Sequence, residues 1–217
     1  NAIMCRSVQN AAHLTEILQD ERINALCLGP GLGTDDKASS LIDAALGSLR
    51  PVVLDADALT VISCDRALFG RLHRNCVLTP HGGEFTRLFP EISARLAETP
   101  ITGPAVSKVD ATKEAAQKAG CTVLLKGPDT VIADESGQAI VNSAVYERAA
   151  PWLATAGSGD VLAGLITGLL ARGFRPHNAA SVGAWLHVEA ARAFGPGLIA
   201  EDLPEMLPQV LANALKH

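Results

Sequence analysis

Short apolar runs in this chain alternate with helical patterns across turns rich in Gly, Pro or Asp, and this repeated order constrains the fold most. Residues 25–28 lead to a polar helical stretch over 35–48, and Val52–Leu54 leads to another over 65–72. Val77 and Leu78 continue the rhythm, as do a helix over 108–118 and the run Thr122–Leu125. Strand, crossover helix and parallel strand is the unit that such alternation builds. The expected class is therefore α/β, a mostly parallel sheet flanked by helices on both faces as a three-layer sandwich. Residues 130–133 and 139–141, joined by Asp134-Glu-Ser-Gly137, read as a hairpin added near the sheet edge. The last third reads as helices over 158–172, 178–194 and 202–215. Residues 92–107, with Pro100 and Pro104 around a glycine, read as a mobile loop, an insertion or a solvated connection.

A length of 217 residues suits one domain, and 48% hydrophobic with 19% charged content suits a soluble core. A net charge of −5 with scattered Lys and Arg gives no basic footprint, which argues against nucleic acid as a partner. The apolar run 161–171 is broken by Gly164 and Gly168 and falls short of the roughly 20 residues of a membrane span. Five widely spaced cysteines, Cys5, Cys27, Cys64, Cys76 and Cys121, read mostly as reduced core thiols, which suits a cytoplasmic location. No charged-then-apolar leader opens the chain, and Asn1 in place of an initiator methionine leaves a fragment or processed piece open.

Ligands of open parallel sheets bind beyond the carboxyl ends of the strands, so those turns carry the functional reading. The most informative is Gly157-Ser-Gly-Asp160 at the start of the helix over 158–172. Glycines let the backbone close on a ligand, and the unpaired N–H groups of the first helical turn attract phosphate. Asp160 beside such an anion suits proton transfer or a metal, or else simply favours the helix start. Gly29-Pro-Gly-Leu-Gly33 resembles a dinucleotide fingerprint only superficially, since the spacing differs and Pro30 removes a donor. It reads as a substrate-contacting loop or a structural turn. In Asp55-Ala-Asp57 the two carboxylates share one face if the strand continues, while Asp57 alone would serve as an N-cap. His81 is presented in the turn Thr79-Pro-His-Gly-Gly-Glu84, with Glu84 in the first turn of a helix, and no accompanying motif makes it a zinc ligand. Lys126-Gly-Pro-Asp-Thr130 places an ammonium, a glycine turn and a hydroxyl at another strand end, suited to phosphate or to a plain hairpin turn.

Together the segments Gly29 to Gly33, Leu54-Asp-Ala-Asp-Ala-Leu59, Leu78-Thr-Pro-His-Gly-Gly-Glu-Phe85, Leu125-Lys-Gly-Pro-Asp-Thr-Val131 and Gly157-Ser-Gly-Asp-Val-Leu-Ala-Gly164, in this order, resemble the ADP- or ATP-dependent NAD(P)H-hydrate dehydratases. The resemblance covers about residues 24–210 and implies a ribokinase-like fold. It also implies a metabolite repair reaction, in which NADHX or NADPHX, carrying a hydroxyl at C6 of the nicotinamide ring, is phosphorylated by ADP or ATP and then loses phosphate. In that family Asp160 would be the base, and Gly157, Ser158 and Gly159 the anion hole. Lys126, Gly127, Pro128, Asp129 and Thr130, with Gly159, would hold the nucleotide. Gly31, His81, Gly82, Gly83, Glu84, Phe85, Thr86, Arg87 and Asp160 would meet the hydrated cofactor, with Asp57 in support. Mg2+ is expected with the nucleotide and its ligands in the protein are unknown. A homo-oligomer, tetrameric in the family, and fusion to an NAD(P)HX epimerase domain are implied, as are a strand and a Gly-rich loop upstream of anything seen here. The chain departs from many relatives in having Ser158 where they carry Met, and in a longer 92–107 connection.

Two rivals use the same residues. A small-molecule kinase of the hydroxymethylpyrimidine or hydroxyethylthiazole type would share the anion site and aspartate but release a stable phosphorylated product. A non-catalytic nucleotide-binding module would bind without turnover. An NAD-dependent oxidoreductase would leave Lys126 and Asp160 without a role. His187, on the helix over 178–194, reads as a packed or hydrogen-bonded side chain.

Overall fold

A computed structural model describes residues 3–99 and 101–216. The helices are α1 (Ala11–Ile17), α2 (Asp36–Gly47), α3 (Ala56–Cys64), α4 (Arg66–Phe69), α5 (Gly82–Leu88), α6 (Pro90–Ala97), α7 (Lys108–Ala119), α8 (Ser158–Ala171), α9 (Pro176–Phe194) and α10 (Asp202–Ala214). The strands β1 (Leu26–Leu28), β2 (Val52–Leu54), β3 (Cys76–Leu78), β4 (Thr122–Leu125), β5 (Asp129–Ala133) and β6 (Ala139–Ser143) form one sheet in that order. The first four are parallel, and β5 and β6 add an antiparallel hairpin at the edge. This is the α/β class expected from the alternation.

Side-chain alternation along the strands explains the layers. Val52, Leu54, Cys76, Leu78, Val123 and Leu125 face one way, into a core with α2, α3, α5 and α7. Val53, Val77, Leu124 and Ile132 face the other way, against α8 and α9. Both faces are covered, so β2, β3 and β4 are buried throughout, and Thr122 is the one hydroxyl-bearing residue within them. Ile166 of α8 is fully buried, an enclosure that contributes about 2 kcal/mol. It meets α9 at Gly183, where a Cβ would lie 2.7 Å from Ile166 Cγ1, so α8 sits close against α9 and its N-terminus is held at a set height above the sheet.

Several expectations need correction. Residues 65–72 hold only the one-turn α4, capped by Asp65, whereas the full helix after β2 is α3. Ala58, Leu59, Val61 and Ile62 are its buried residues, and Asp55 rather than Asp57 stands at its N-cap. Residues 92–97 belong to α6, anchored by fully buried Ile92, so the irregular connection is confined to 98–107, of which Pro100 lies outside the described residues. Of the five free cysteines only Cys76 and Cys121 are buried; Cys5, Cys27 and Cys64 are exposed. Cys27 is exposed because β1 is the sheet edge. No helix among the described residues is long and apolar enough to cross a membrane.

Candidate active site

The site lies at the carboxyl ends of the parallel strands, where β2, β3 and β4 deliver Asp55, Pro80 and Lys126. Lys126 N–H donates to the Pro80 carbonyl at 2.9 Å, which fixes the β4 turn against the β3 turn. The Lys126 ammonium then lies 2.9 Å from Asp55 Oδ1 and 3.9 Å from Glu84 Oε2. Asp55 is 2% exposed, so its charge is compensated chiefly by this contact.

Asp55 and Asp57 do not share a face, because β2 stops at Leu54 and Ala56 turns the chain at φ 46. A left-handed alanine costs free energy and is retained only where its surroundings impose it. The turn sends Asp55 to Lys126 and Asp57 to the glycine loop after β1, where Asp57 Oδ2 accepts from Gly33 N–H at 2.9 Å. The same loop crosses Asp55 at Gly29, where a Cβ would fall 1.7 Å from the Asp55 carbonyl oxygen. Gly31 itself has φ 65 and open space around it.

His81 is the N-cap of α5, its Nδ1 accepting from Gly83 N–H at 2.9 Å and from Glu84 N–H at 3.4 Å. Glu84 reciprocates, Oε2 accepting from His81 N–H at 2.8 Å, a capping box with an imidazole in the usual hydroxyl position. One carboxylate thus ties the imidazole turn to the lysine turn. Gly82 and Gly83 open this helix, but Phe85 is buried against Phe89 with ring centroids 5.2 Å apart. Thr86 bonds back to the Gly82 carbonyl, and Arg87 lines a separate groove with Arg66, Glu91 and Lys118. The cluster around Lys126 therefore receives His81 and Glu84, while Phe85, Thr86 and Arg87 point to core or outer surface.

On the other side of Lys126, α8 begins at Gly157, whose φ of 82 suits glycine and which supplies no side-chain cap. Among the described residues the amides of Gly157, Gly159 and Asp160 have no acceptor, whereas Ser158 N–H is turned to the Thr155 carbonyl at 3.4 Å. Free amides at a helix start are an anion site. The Ser158 carbonyl accepts from His187 at 2.9 Å, so the imidazole carries its proton on Nε2. Burial, with help from the nearby Lys126 charge, lowers His187 to a pKa of about 4 and keeps it neutral. At Gly159 a Cβ would lie 3.5 Å from Lys126 Nζ and 4.0 Å from Asp55 Oδ2. Glycine there lets the helix start approach both charges.

Lys126, Gly127, Pro128, Thr130, Ser158, Gly159 and His187 line one cavity of about 530 Å3, completed by residues of β6 and of the segment 144–154. Asp129 and Asp160 are not on its wall. Asp129 turns its carbonyl to Lys108 Nζ at 2.5 Å, and Lys108 also donates to the Lys126 carbonyl at 3.2 Å, bracing the turn from below. Asp160 is exposed in the first turn of α8, one residue beyond the convergence of Gly159, Lys126 and Asp55. Cys27 is exposed along the sheet edge, yet enough protein surrounds its thiol that burial raises its pKa, and the charges of Asp55 and Asp160 add to the rise. Asp160 and Asp55 thus act on one neighbourhood beyond the cavity. His187 is the packed, hydrogen-bonded side chain expected from the sequence, whereas sequence reasoning assigned no contact to Asn142 or Lys108.

A family model described as NAD(P)H-hydrate dehydratase matches residues 1–216. The chain belongs to the NAD(P)H-hydrate dehydratase family. It is 38% identical over 197 residues to the bifunctional NAD(P)H-hydrate repair enzyme Nnr of Moorella thermoacetica, covering 88% of this chain and 35% of that protein. It is 40% identical over 173 residues to the ADP-dependent (S)-NAD(P)H-hydrate dehydratase of Neisseria meningitidis serogroup B, covering 78% of this chain and 54% of that one. The ADP/ATP-dependent NAD(P)H-hydrate dehydratase of Bacillus subtilis, co-crystallised with ATP and Mg2+, superposes with a TM-score of 0.68 at 28% identity over 88% of this chain and 66% of its own. A hydroxyethylthiazole kinase from Pyrococcus horikoshii, at 18% identity and a TM-score of 0.65, shares the fold. The sheet and its flanking layers are those of the ribokinase-like dehydratases, and the chain spans about a third to a half of the curated relatives' length.

Proposed function

We propose that this chain dehydrates hydrated NADH or NADPH at the expense of ADP or ATP, through phosphorylation of the C6 hydroxyl and elimination of phosphate. The observation that carries this is one cavity walled both by the front of α8 and by the Lys126 turn. Its volume of about 530 Å3 lies within the range of small-molecule sites. The carboxylates, His81 and the glycine loop stand on the other side of Lys126. A nucleotide on the cavity side and a dinucleotide on the outer side would meet at Gly159.

In the reaction Asp160 takes the proton of the C6 hydroxyl as its oxygen bonds to the terminal phosphorus, and the bond from that phosphorus to the leaving nucleotide oxygen breaks. ATP then leaves as ADP, or ADP as AMP. The free amides of Gly157 and Gly159 and the Lys126 ammonium offset the charge on the transferring group. The C6–O bond next breaks as the ring nitrogen donates electrons and the neighbouring ring carbon loses a proton, which completes the net loss of water. Among the described residues no three His, Cys, Asp or Glu side chains converge as a metal site, and Asp55 and Glu84 are already engaged. Mg2+ would arrive with the nucleotide phosphates and supply charge there. Within a longer protein the chain would work beside a second repair activity, as the names of its bifunctional relatives suggest.

The test mixes the protein with hydrated NADH, Mg2+ and ADP or ATP and follows the return of reduced-nicotinamide absorbance. Recovery is expected only with nucleotide, and Asp160→Asn is expected to slow it on the order of a hundredfold or more with ADP affinity retained. Undiminished recovery in that variant would remove Asp160 as the base. A phosphorylated product with no absorbance gain would mark a kinase.

A further inference from the structure

Tyr146 is the one tyrosine of the chain, and it stands 93% exposed on the wall of the cavity that holds Lys126 and Gly159. Its backbone is left-handed at φ 51, a costly conformation for an aromatic residue. Packing does not account for it at that exposure, and its hydroxyl has no hydrogen-bond partner among the described residues. Arg148, two positions on, anchors the short 3-10 turn Tyr146–Arg148. Its Nε and Nη2 donate to Glu189 Oε1 at 3.1 and 2.8 Å, and its Nη1 donates to the Ser143 carbonyl at 3.0 Å and to Asn142 Oδ1 at 3.3 Å. The turn is therefore clamped to α9 at its base and free at its ring.

The cavity wall divides by chemistry. Lys126 and the Gly159 amide suit phosphate, whereas Val145, Ala150, Pro151 and Leu153, from the same segment as Tyr146, offer apolar surface with almost no hydrogen-bonding side chains. A ligand matched to both is anionic and carries a flat, weakly hydrated group. An exposed ring at the rim of an apolar wall gains by stacking on such a group.

We propose that Tyr146 is the base-stacking residue of this cavity and that Arg148, through Glu189, is its positioning residue. This rests on the reading of the cavity as a nucleotide site and goes beyond it in naming what grips the base.

The test uses calorimetric titration with ADP and with inorganic tripolyphosphate, which keeps the phosphates and lacks the base. Tyr146→Ala is expected to weaken ADP about tenfold and leave tripolyphosphate unchanged. Tyr146→Phe keeps ADP affinity, and Arg148→Met reproduces the alanine pattern. The ring resonances of the single tyrosine shift with ADP and stay in place with tripolyphosphate. Equal ADP affinity in wild type and Tyr146→Ala would overturn the role of Tyr146 while leaving the nucleotide site standing, as would a parallel loss of tripolyphosphate. Wild-type protein that binds neither ADP nor ATP would overturn the nucleotide reading and this proposal with it.

Discussion

Lys126 Nζ stands 2.9 Å from Asp55 Oδ1 across 71 positions of chain, joining the end of β4 to the end of β2 beneath the first turn of α8. An ammonium in this place has two tasks, balancing a buried carboxylate in the free protein and attracting phosphate when a ligand arrives. Both arise because the parallel strands β2 and β4, on either side of β3, end at one level.

Lys126→Met would leave Asp55 buried without its partner, and such a loss costs about 3 kcal/mol. Urea unfolding is expected to show that drop in wild-type background and recovery of more than half of it when Asp55→Asn is added. Nucleotide affinity should fall in both variants. Equal stability of wild type and Lys126→Met would show that the pair is structurally idle.

His187 gives a pH signature whose sign follows from its burial. Its folded pKa of about 4 lies below the ordinary 6.5, so between these values the unfolded chain takes up a proton that the native imidazole refuses. Its contribution is intact above the ordinary value and declines as pH falls toward 4, by up to about 3 kcal/mol in all. Urea midpoints taken near neutrality and about two units lower should differ less in His187→Gln than in wild type. An unchanged difference would place the pH dependence elsewhere.

Two glycines of one loop are expected to behave differently. Gly29→Ala would drive a Cβ to 1.7 Å from the Asp55 carbonyl oxygen at φ 136, so the loop or Asp55 must move. We expect a loss of about 3 kcal/mol or more and a parallel loss of activity. Gly31→Ala, with φ 65 and open space, should cost only about 1 kcal/mol. Thermal melts of the pair decide it, and similar melting temperatures would contradict the close approach.

The layers were legible because a strand buried on both faces needs a near-continuous apolar run, and Val52–Leu54 and Val123 to Leu125 have few other interpretations. The hairpin was legible through Asp134, whose Oδ1 accepts from the amides of Ser136 and Gln138, an arrangement that Asp favours locally. Helix α3 was not, because Asp55-Ala-Asp57 also fits a continued strand, and the left-handed Ala56 that starts the helix has no sequence signature. Nor was the Tyr146 to Arg148 turn, which Arg148 ties to Glu189, 41 positions on.

By itself the sequence determined where the strands and most of the long helices lie, that glycine turns and charged residues gather where parallel strands end, and which family they resemble, since these follow from local periodicity and short motifs. Only the tertiary structure decided that Asp55 rather than Asp57 meets Lys126, that His81 caps its own helix, and that Asp160 lies beyond the cavity while Ser158 and Gly159 line it. Distance between side chains far apart in the chain is set by strand register and by the height of α8 above the sheet, and neither is encoded in any one segment.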